Sequence, residues 1–337
     1  MTSKANAKDR QKVSHTKHQS HSAGDFFIRY GLLVATAALF IVFSILEPKF
    51  ITTANIFSIV RQASIMGILA LGLTVIVILG EFDISLVAIS VFAGVVPIIM
   101  VMSGIQMVPL VWCAGIVLGI GLSLINGSGV VFVGIPSFII SLGMMMTLTG
   151  ASRGFTKGAP TFPARLPAGF SLLGKYSIGG LIPVVAVTFI VAAVLITLFL
   201  DYTPSGRYIY AVGGNPDASV HSGIRVRKIK IIGFLIAGLL YGIGGISMAS
   251  MFGSASSSMG DGYLMPAIIA CFLGGSFLTE GVPNPRGTIV SVILLAILAN
   301  GFTMTNVPFY GKAIMQGVIL LVALIVLSVV RRRRQSR

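Results

Sequence analysis

ASIMGILALGLTVIVILGEFDISLVAISVFAGVVPIIMVMS, residues 63–103, carries the pattern that decides the fold. Two apolar runs, 63–80 and 85–103, flank the hexapeptide GEFDIS at 80–85. Each run matches the roughly 18 apolar residues that cross a bilayer as a helix. Between them stand two carboxylates, Glu81 and Asp83, and after Asp83 no charged residue appears until Arg153.

The rest of the chain repeats the oily theme. Of 337 residues, 55% are hydrophobic and 10% charged, with a mean hydropathy of +0.97. A soluble domain carries about 25% charged residues, and even a large soluble helical core needs a polar shell. The pattern predicts an all-α polytopic membrane protein. Ten segments emerge, near 27–46, 63–80, 85–103, 107–126, 135–152, 178–200, 229–252, 264–279, 287–304 and 312–330. None shows the strict alternation of a membrane β-barrel, and helices are the other backbone that satisfies itself in lipid. Segment 264–279 is short, so it is read as re-entrant or as crossing where protein covers it. Small residues at Gly115, Gly119, Gly238 and Gly242 suit close helix packing in lipid.

The net charge of +15 sits mostly at Lys4–Lys17, Arg207–Lys230 and Arg331–Arg337. No aromatic-interleaved basic face accompanies it, so nucleic acid is not the expected partner. The positive-inside rule predicts cytoplasmic termini and an even number of crossings. The domain reading is a disordered cytoplasmic tail at 1–25, a permease domain at 26–330 with a cytoplasmic loop at 201–228, and a basic cytoplasmic tail at 331–337. No cleavable signal peptide is expected, since residues 1–25 lack an apolar core. Loop 153–177 then falls outside, although it carries Arg153, Lys157, Arg165 and Lys175.

Several chemistries are excluded. GFSLLGKY at 169–176 has the outline of a phosphate loop but ends in Tyr176 where a Ser or Thr must reach magnesium. His15, His18 and His21 lie in the tail and His221 in a basic loop, so no base stands in an apolar run beside a nucleophile. Cys113 and Cys271 lie in apolar runs and read as packing residues, not metal ligands. Neither a metal nor a cofactor is expected, and any ATP is expected on a partner chain.

The cytoplasmic loop holds NPDASVHSG at 215–223. Asn215 can cap a helix, Pro216 suits its first position, and Asp217 suits its positive end. Gly223 can take the left-handed closing position. With Arg207, Arg225, Arg227 and Lys228 beside it, this short helix is either a lipid-surface connector or a rigid lever for another protein.

GRYIYAVGGNPDASVHSGI, 206–224, closely resembles the coupling segment of ribose-type ABC sugar-import permeases, a group that includes xylose, arabinose and autoinducer-2 importers. GEFDIS resembles their G-G-I-D-L-S motif. IPSFIISLGMMMTLTG, 135–150, resembles their fifth-span signature. GDGYLMPAIIACFLGGSFLTEG, 260–281, followed by RGTIVSVILLAILANG, 286–301, resembles their late gate region. The resemblance covers roughly 46–330. It implies a type II ABC importer-like permease in the bacterial inner membrane, paired with a second permease chain. A periplasmic binding protein and a cytoplasmic ATPase would complete it. It assigns coupling to Gly206, Arg207, Asn215, Pro216, Asp217, Gly223 and Arg225, and the gate to Gly274, Gly275 and Ser276. It places Asp83 and Ser85 in the acidic-hydroxyl motif near the substrate path. The chain departs from the pattern at Glu81, Leu86, Val87, Pro283 and Pro285, and lacks an acidic residue after Tyr263.

Two readings of the carboxylates remain open. One is a cytoplasmic turn with Glu81 and Asp83 in water. The other is a polar break, made easy by Gly80, that faces the substrate path; there Glu81 would bias substrate choice. A proton-coupled carrier using Glu81 and Asp83 as relay is the main rival function, and a non-transporting scaffold is the third. The basic outer loop is expected to meet acidic patches on the binding protein.

Overall fold

The computed structural model describes residues 23–275 and 281–335. In chain order its helices are α1 (Ala23–Leu46), α2 (Thr53–Ile78), α3 (Leu86–Met102), α4 (Val108–Ser128), α5 (Ser137–Thr156), α6 (Val184–Tyr202), α7 (Pro204–Gly214), α8 (Pro216–His221), α9 (Val226–Phe252), α10 (Leu264–Gly274), α11 (Pro285–Met304) and α12 (Phe309–Gln335). Each predicted segment overlaps one helix, and α7 and α8 lie in the predicted loop 201–228. Of the predicted tails, residues 1–22, 336 and 337 lie outside the described residues, while α12 continues through 331–335.

Among the described residues, five helical stretches are long and apolar enough to cross a membrane by length and composition. They are Thr53–Ile78, Val108–Val133, Val184–Tyr202, Val226–Phe252 and Pro285–Met304. Three further helices do not meet that length and composition, each for a local reason. α3 has 17 residues, α10 has 11, and α5 is diluted by Ser, Thr, Gly and Arg153.

Two boundaries moved from expectation. α2 begins at Thr53, ten residues before the apolar run, because its first turns are polar and include Arg61 and Gln62. The Arg61 guanidinium there donates to the Lys175 carbonyl at 3.0 Å. α6 begins at Val184, not 178, because Ser177–Ile178 pairs with Ile182–Pro183 as a small antiparallel hairpin.

α9 is the hub, packed against α2, α3 and α4. A Cβ on Gly119 would come within 2.6 Å of the Gly238 oxygen and of Gly242 Cα, so α4 and α9 touch through backbone. In lipid, where apolar side chains gain little by leaving their solvent, such close contact supplies dispersion energy.

The bundle has two distinct ends. One gathers the 79–85 turn, α7, α8 and the first turns of α9 and α11; it is called the lever end. The other gathers the start of α2, the 157–183 loop, the end of α9 and the first of residues 253–263, which then dip inward until Gly260 packs against Val87 and Val91 of α3; it is called the loop end.

Candidate functional site

The α7–α8 segment, called the lever after the role expected of it, is built by two successive caps. Thr203 Oγ1 accepts from Gly206 N at 3.1 Å with Pro204 in the first position, which starts α7 directly after α6. Asn215 Oδ1 accepts from Ala218 N at 3.0 Å, with Pro216 first and Asp217 in the first turn, which starts α8. Gly223, at φ +78°, lets the chain turn back toward α9. The predicted helix at 215–223 is therefore α8; α7 lies where a loop is predicted, and the Thr203-Pro204 pair with the spacing Gly206, Ile209, Val212 is the sequence signal for it.

α7 is seated on the bundle. Gly213 packs so tightly on the Ile78 carbonyl oxygen that no Cβ fits. α8 is the outer piece: Asn215, Pro216, Asp217, His221 and Gly223 are exposed, as are Arg207 and Arg225, while Gly206 is buried. Two ion pairs bracket the segment. On one flank Arg286 Nη2 of α11 meets Asp201 Oδ2 of α6 at 2.6 Å. On the other, Lys230 Nζ of α9 meets Glu81 Oε1 at 2.5 Å.

GEFDIS is the turn between α2 and α3, at the lever end. Gly80, at φ +80°, breaks α2. The released backbone is satisfied by α5, whose Ser137 Oγ accepts from Phe82 N at 3.0 Å and whose Ser141 Oγ accepts from Ile84 N at 3.3 Å. Phe82 stacks on Phe272 of α10, with ring centroids 6.1 Å apart. The two carboxylates part company here. Glu81 reaches Lys230, and side-chain exposures of 12% and 20% show a largely enclosed pair. Asp83 is fully buried. Its Oδ1 accepts from Ser85 N at 2.9 Å and from Ser85 Oγ at 2.5 Å, and Asn126 Nδ2 of α4 donates to Ser85 Oγ at 2.9 Å. Asp83 Oδ2, Asn126 Oδ1 and Tyr241 OH find no partner among the described residues. Burial pushes the Asp83 carboxyl up to about 6, against the Ser85 and Asn126 hydrogen bonds that favour its charged form. The turn thus lies at the lever end, and neither carboxylate stands free in water: Glu81 is largely enclosed against Lys230 and Asp83 is buried.

Gly274 and Gly275, which the resemblance assigns to a gate, make backbone contacts. Gly274 and Gly287 face each other too closely for a side chain on either. Asn284 Nδ2 donates to Gly274 O at 3.1 Å while its Oδ1 accepts from Gly287 N at 2.7 Å, which caps α11. Gly275 O accepts from Gly281 N at 2.9 Å. Next to them Thr288 and Thr74 share a hydroxyl contact of 2.8 Å, tying α11 to α2. Ser276 lies outside the described residues.

At the loop end, Arg153, Lys157, Arg165 and Lys175 are all exposed. Beside them opens a cavity of about 660 Å³, lined by Arg61, Gln62, Phe162, Ser256, Ser258 and Asp261 among others. None of these was singled out from the sequence. The serine-rich run SASSSMGDGY at 254–263 was their signal.

Comparison with known proteins fits this arrangement. Residues 55–324 match the family described as branched-chain amino acid transport system / permease component. The ribose import permease protein RbsC of Escherichia coli (strain K12) is 34% identical, over 87% of this chain and 92% of that protein. RbsC of Bacillus subtilis (strain 168) is 32% identical, over 88% and 92%. The xylose transport system permease protein XylH of Escherichia coli (strain K12) is 29% identical, over 85% and 88%. No solved structure matches the chain. A match over most of the length, by the same stretch that forms the bundle and its lever, means that the chain belongs to the branched-chain amino acid transport system / permease component family.

Proposed function

We propose that the chain is the transmembrane permease subunit of a binding-protein-dependent ABC importer for a sugar or sugar-like solute. The names of its ribose and xylose relatives support the solute class. The observation that carries the mechanism is α7–α8: an exposed, doubly capped lever inserted between α6 and α9 and bracketed by two ion pairs. The chain binds no ATP and does no bond chemistry. A separate cytoplasmic ATPase closes on ATP and pushes α8, and α6 and α9 pass the motion on. Access then alternates in a pair of permease chains.

The lever end is cytoplasmic in this reading, as are both termini, and the membrane is the bacterial inner membrane. The ten helices other than α7 and α8 cross it, α10 being the short one. Gly274, Gly275 and Ser276 form the inner gate. Asp83 and Ser85 hold the α2–α3 turn beside the path, and Glu81 ties that turn to α9. Gly206 and Arg207 seat and flank the lever, and Asn215, Pro216, Asp217, Gly223 and Arg225 face the ATPase. Outside, a periplasmic binding protein delivers the solute, and Arg153, Lys157, Arg165 and Lys175 meet its acidic surface.

Lever variants test the reading. Pro216→Leu loosens the start of α8, and Gly223→Val strains a left-handed position by roughly 1–2 kcal/mol. Each is expected to leave assembly with the ATPase intact and to cut solute moved per ATP hydrolysed. Full coupling in both variants contradicts the lever.

A further inference from the structure

The loop-end cavity is a half-open cleft whose shape is held by the fold. Its walls come from the start of α2, the outer loop, the end of α9 and residues 254–263. The outer loop is fastened over it at three places. Thr161 and Ala255 exchange backbone hydrogen bonds of 2.8 and 2.9 Å. Arg61 Nη2 donates to the Lys175 carbonyl at 3.0 Å and to Ser177 Oγ at 3.2 Å. Gly174 N donates to Ser250 Oγ at 2.8 Å, and Ser250 Oγ donates to Phe170 O at 2.7 Å. A cavity held open in this way needs little ordering when a ligand arrives.

Its lining selects a chemistry. Gln62, Ser256 and Ser258 offer uncharged donors and acceptors, and Phe162 offers an exposed ring at 66% of its surface. The charges balance, with one guanidinium (Arg61) and one carboxylate (Asp261). An anion meets Asp261 and a cation meets Arg61, so neither has an unopposed partner. The Ser256 and Ser258 hydroxyls meet at 2.9 Å and keep further hydrogen-bonding capacity; an apolar solute wastes it and strands the Gln62 amide, at about 1–3 kcal/mol. A neutral molecule with hydroxyls on its edge and C–H groups on its face uses both the polar wall and the ring. The volume of about 660 Å³ lies within the usual range for small-molecule sites, and it leaves room for water around a single sugar ring.

The position links the cavity to the gate. Tyr263 lines it and immediately precedes α10, and the far end of α10 is Gly274, packed on Gly287. One short helix therefore joins the outer cavity to the contact assigned to the inner gate.

We infer that this cavity is a low-affinity receiving site for a neutral, polyhydroxylated solute of monosaccharide size, contacted by Gln62, Phe162, Ser256 and Ser258. The inference rests on the importer reading and adds a solute site within the permease itself. Weak binding is what the position calls for, since a site on a conduit must also release.

The test uses the complete transporter in sealed vesicles, with Cys113→Ala as background; the remaining Cys271 is fully buried. Ser258→Cys and, separately, Gln62→Cys are labelled with a cationic methanethiosulfonate, without binding protein, in 50 mM D-ribose, D-xylose, D-galactose or ribitol. Potassium gluconate is the anionic control. A site with Kd of about 10 mM slows labelling about sixfold at that concentration. The expected result is such slowing by at least one neutral probe at both positions, and none by gluconate. If the background transporter imports one of these solutes but none slows labelling at either position, the inference is overturned. If the unliganded binding protein alone blocks labelling while no solute does, the cavity is a docking socket and the inference is again overturned. If the background transporter, supplied with its binding protein and ATP, imports none of a broad panel of monosaccharides and polyols that includes these four, the importer reading itself falls and takes this inference with it.

Discussion

Glu81 and Lys230 form the contact whose removal separates a mechanical link from a decorative one. Their charged atoms are 2.5 Å apart, and the side chains keep only 12% and 20% of their exposure. A fully exposed pair is worth about 0–1 kcal/mol, while stripping one partner from a buried pair costs about 3–5 kcal/mol. This pair lies between, so Glu81→Gln or Lys230→Met alone should cost about 2 kcal/mol, because each leaves a largely enclosed charge unpaired. The double variant strands no charge and should cost only about 1 kcal/mol, giving a coupling energy of about 3 kcal/mol. For a chain this long the unfolding entropy is about 0.7 kcal/mol/K, so each single variant should melt about 3 °C lower and the double about 1–2 °C lower. Thermal melts of the purified permease in detergent read the first quantity, and solute moved per ATP hydrolysed in the reconstituted transporter reads the second. Both singles should lose coupling, and Glu81→Lys with Lys230→Glu should recover it in part. If the single and double variants melt within 1 °C of wild type and coupling is unchanged, the pair transmits nothing.

Two further outcomes follow from the geometry. Asp83 binds its proton more tightly when folded, with its carboxyl at about 6 against an ordinary 3.8, so its ionisation costs stability as pH rises through that interval. The stability of Asp83→Asn relative to wild type should therefore improve between pH 4 and pH 7, read by melts across pH; a constant difference refutes the buried ionisation. Charge reversal at Arg165 and Lys175 should slow binding-protein docking severalfold at low ionic strength, and the effect should shrink toward 0.15 M salt, where the Debye length is about 8 Å. Stopped-flow association rates that ignore these changes at low salt remove the loop from docking.

Reading apolar length located the bundle well, because ten runs of oily residues have few other ways to satisfy their backbone. It failed where polarity and helix coincide. The first turns of α2 carry Thr53, Asn55, Ser58, Arg61 and Gln62, which look like a loop until the partners of Arg61 are known. α7 was hidden for a related reason, since its eleven residues follow α6 after a single capping residue. The cap of α8 was legible because Asn-Pro-Asp is a local signal with a local cause. The fate of Glu81 and Asp83 was not, because it depends on partners 149 residues away for Glu81 and on the Asn126 side chain of α4, set beside Ser85, for Asp83. The irregular turn at 81–83 sends Glu81 to Lys230 of α9 and Asp83 to Ser85 and the Asn126 side chain behind it, and no periodicity records where those partners sit.

The most direct measurement compares solute uptake into sealed vesicles by the purified chain alone and by the same chain assembled with an ATPase and a solute-binding protein. Uptake should appear only with all three components, require ATP inside the ATPase-facing compartment, and persist when a protonophore abolishes the pH gradient. Uptake by the chain alone, driven by a proton gradient and indifferent to ATP, would contradict a permease that is moved through α7 and α8.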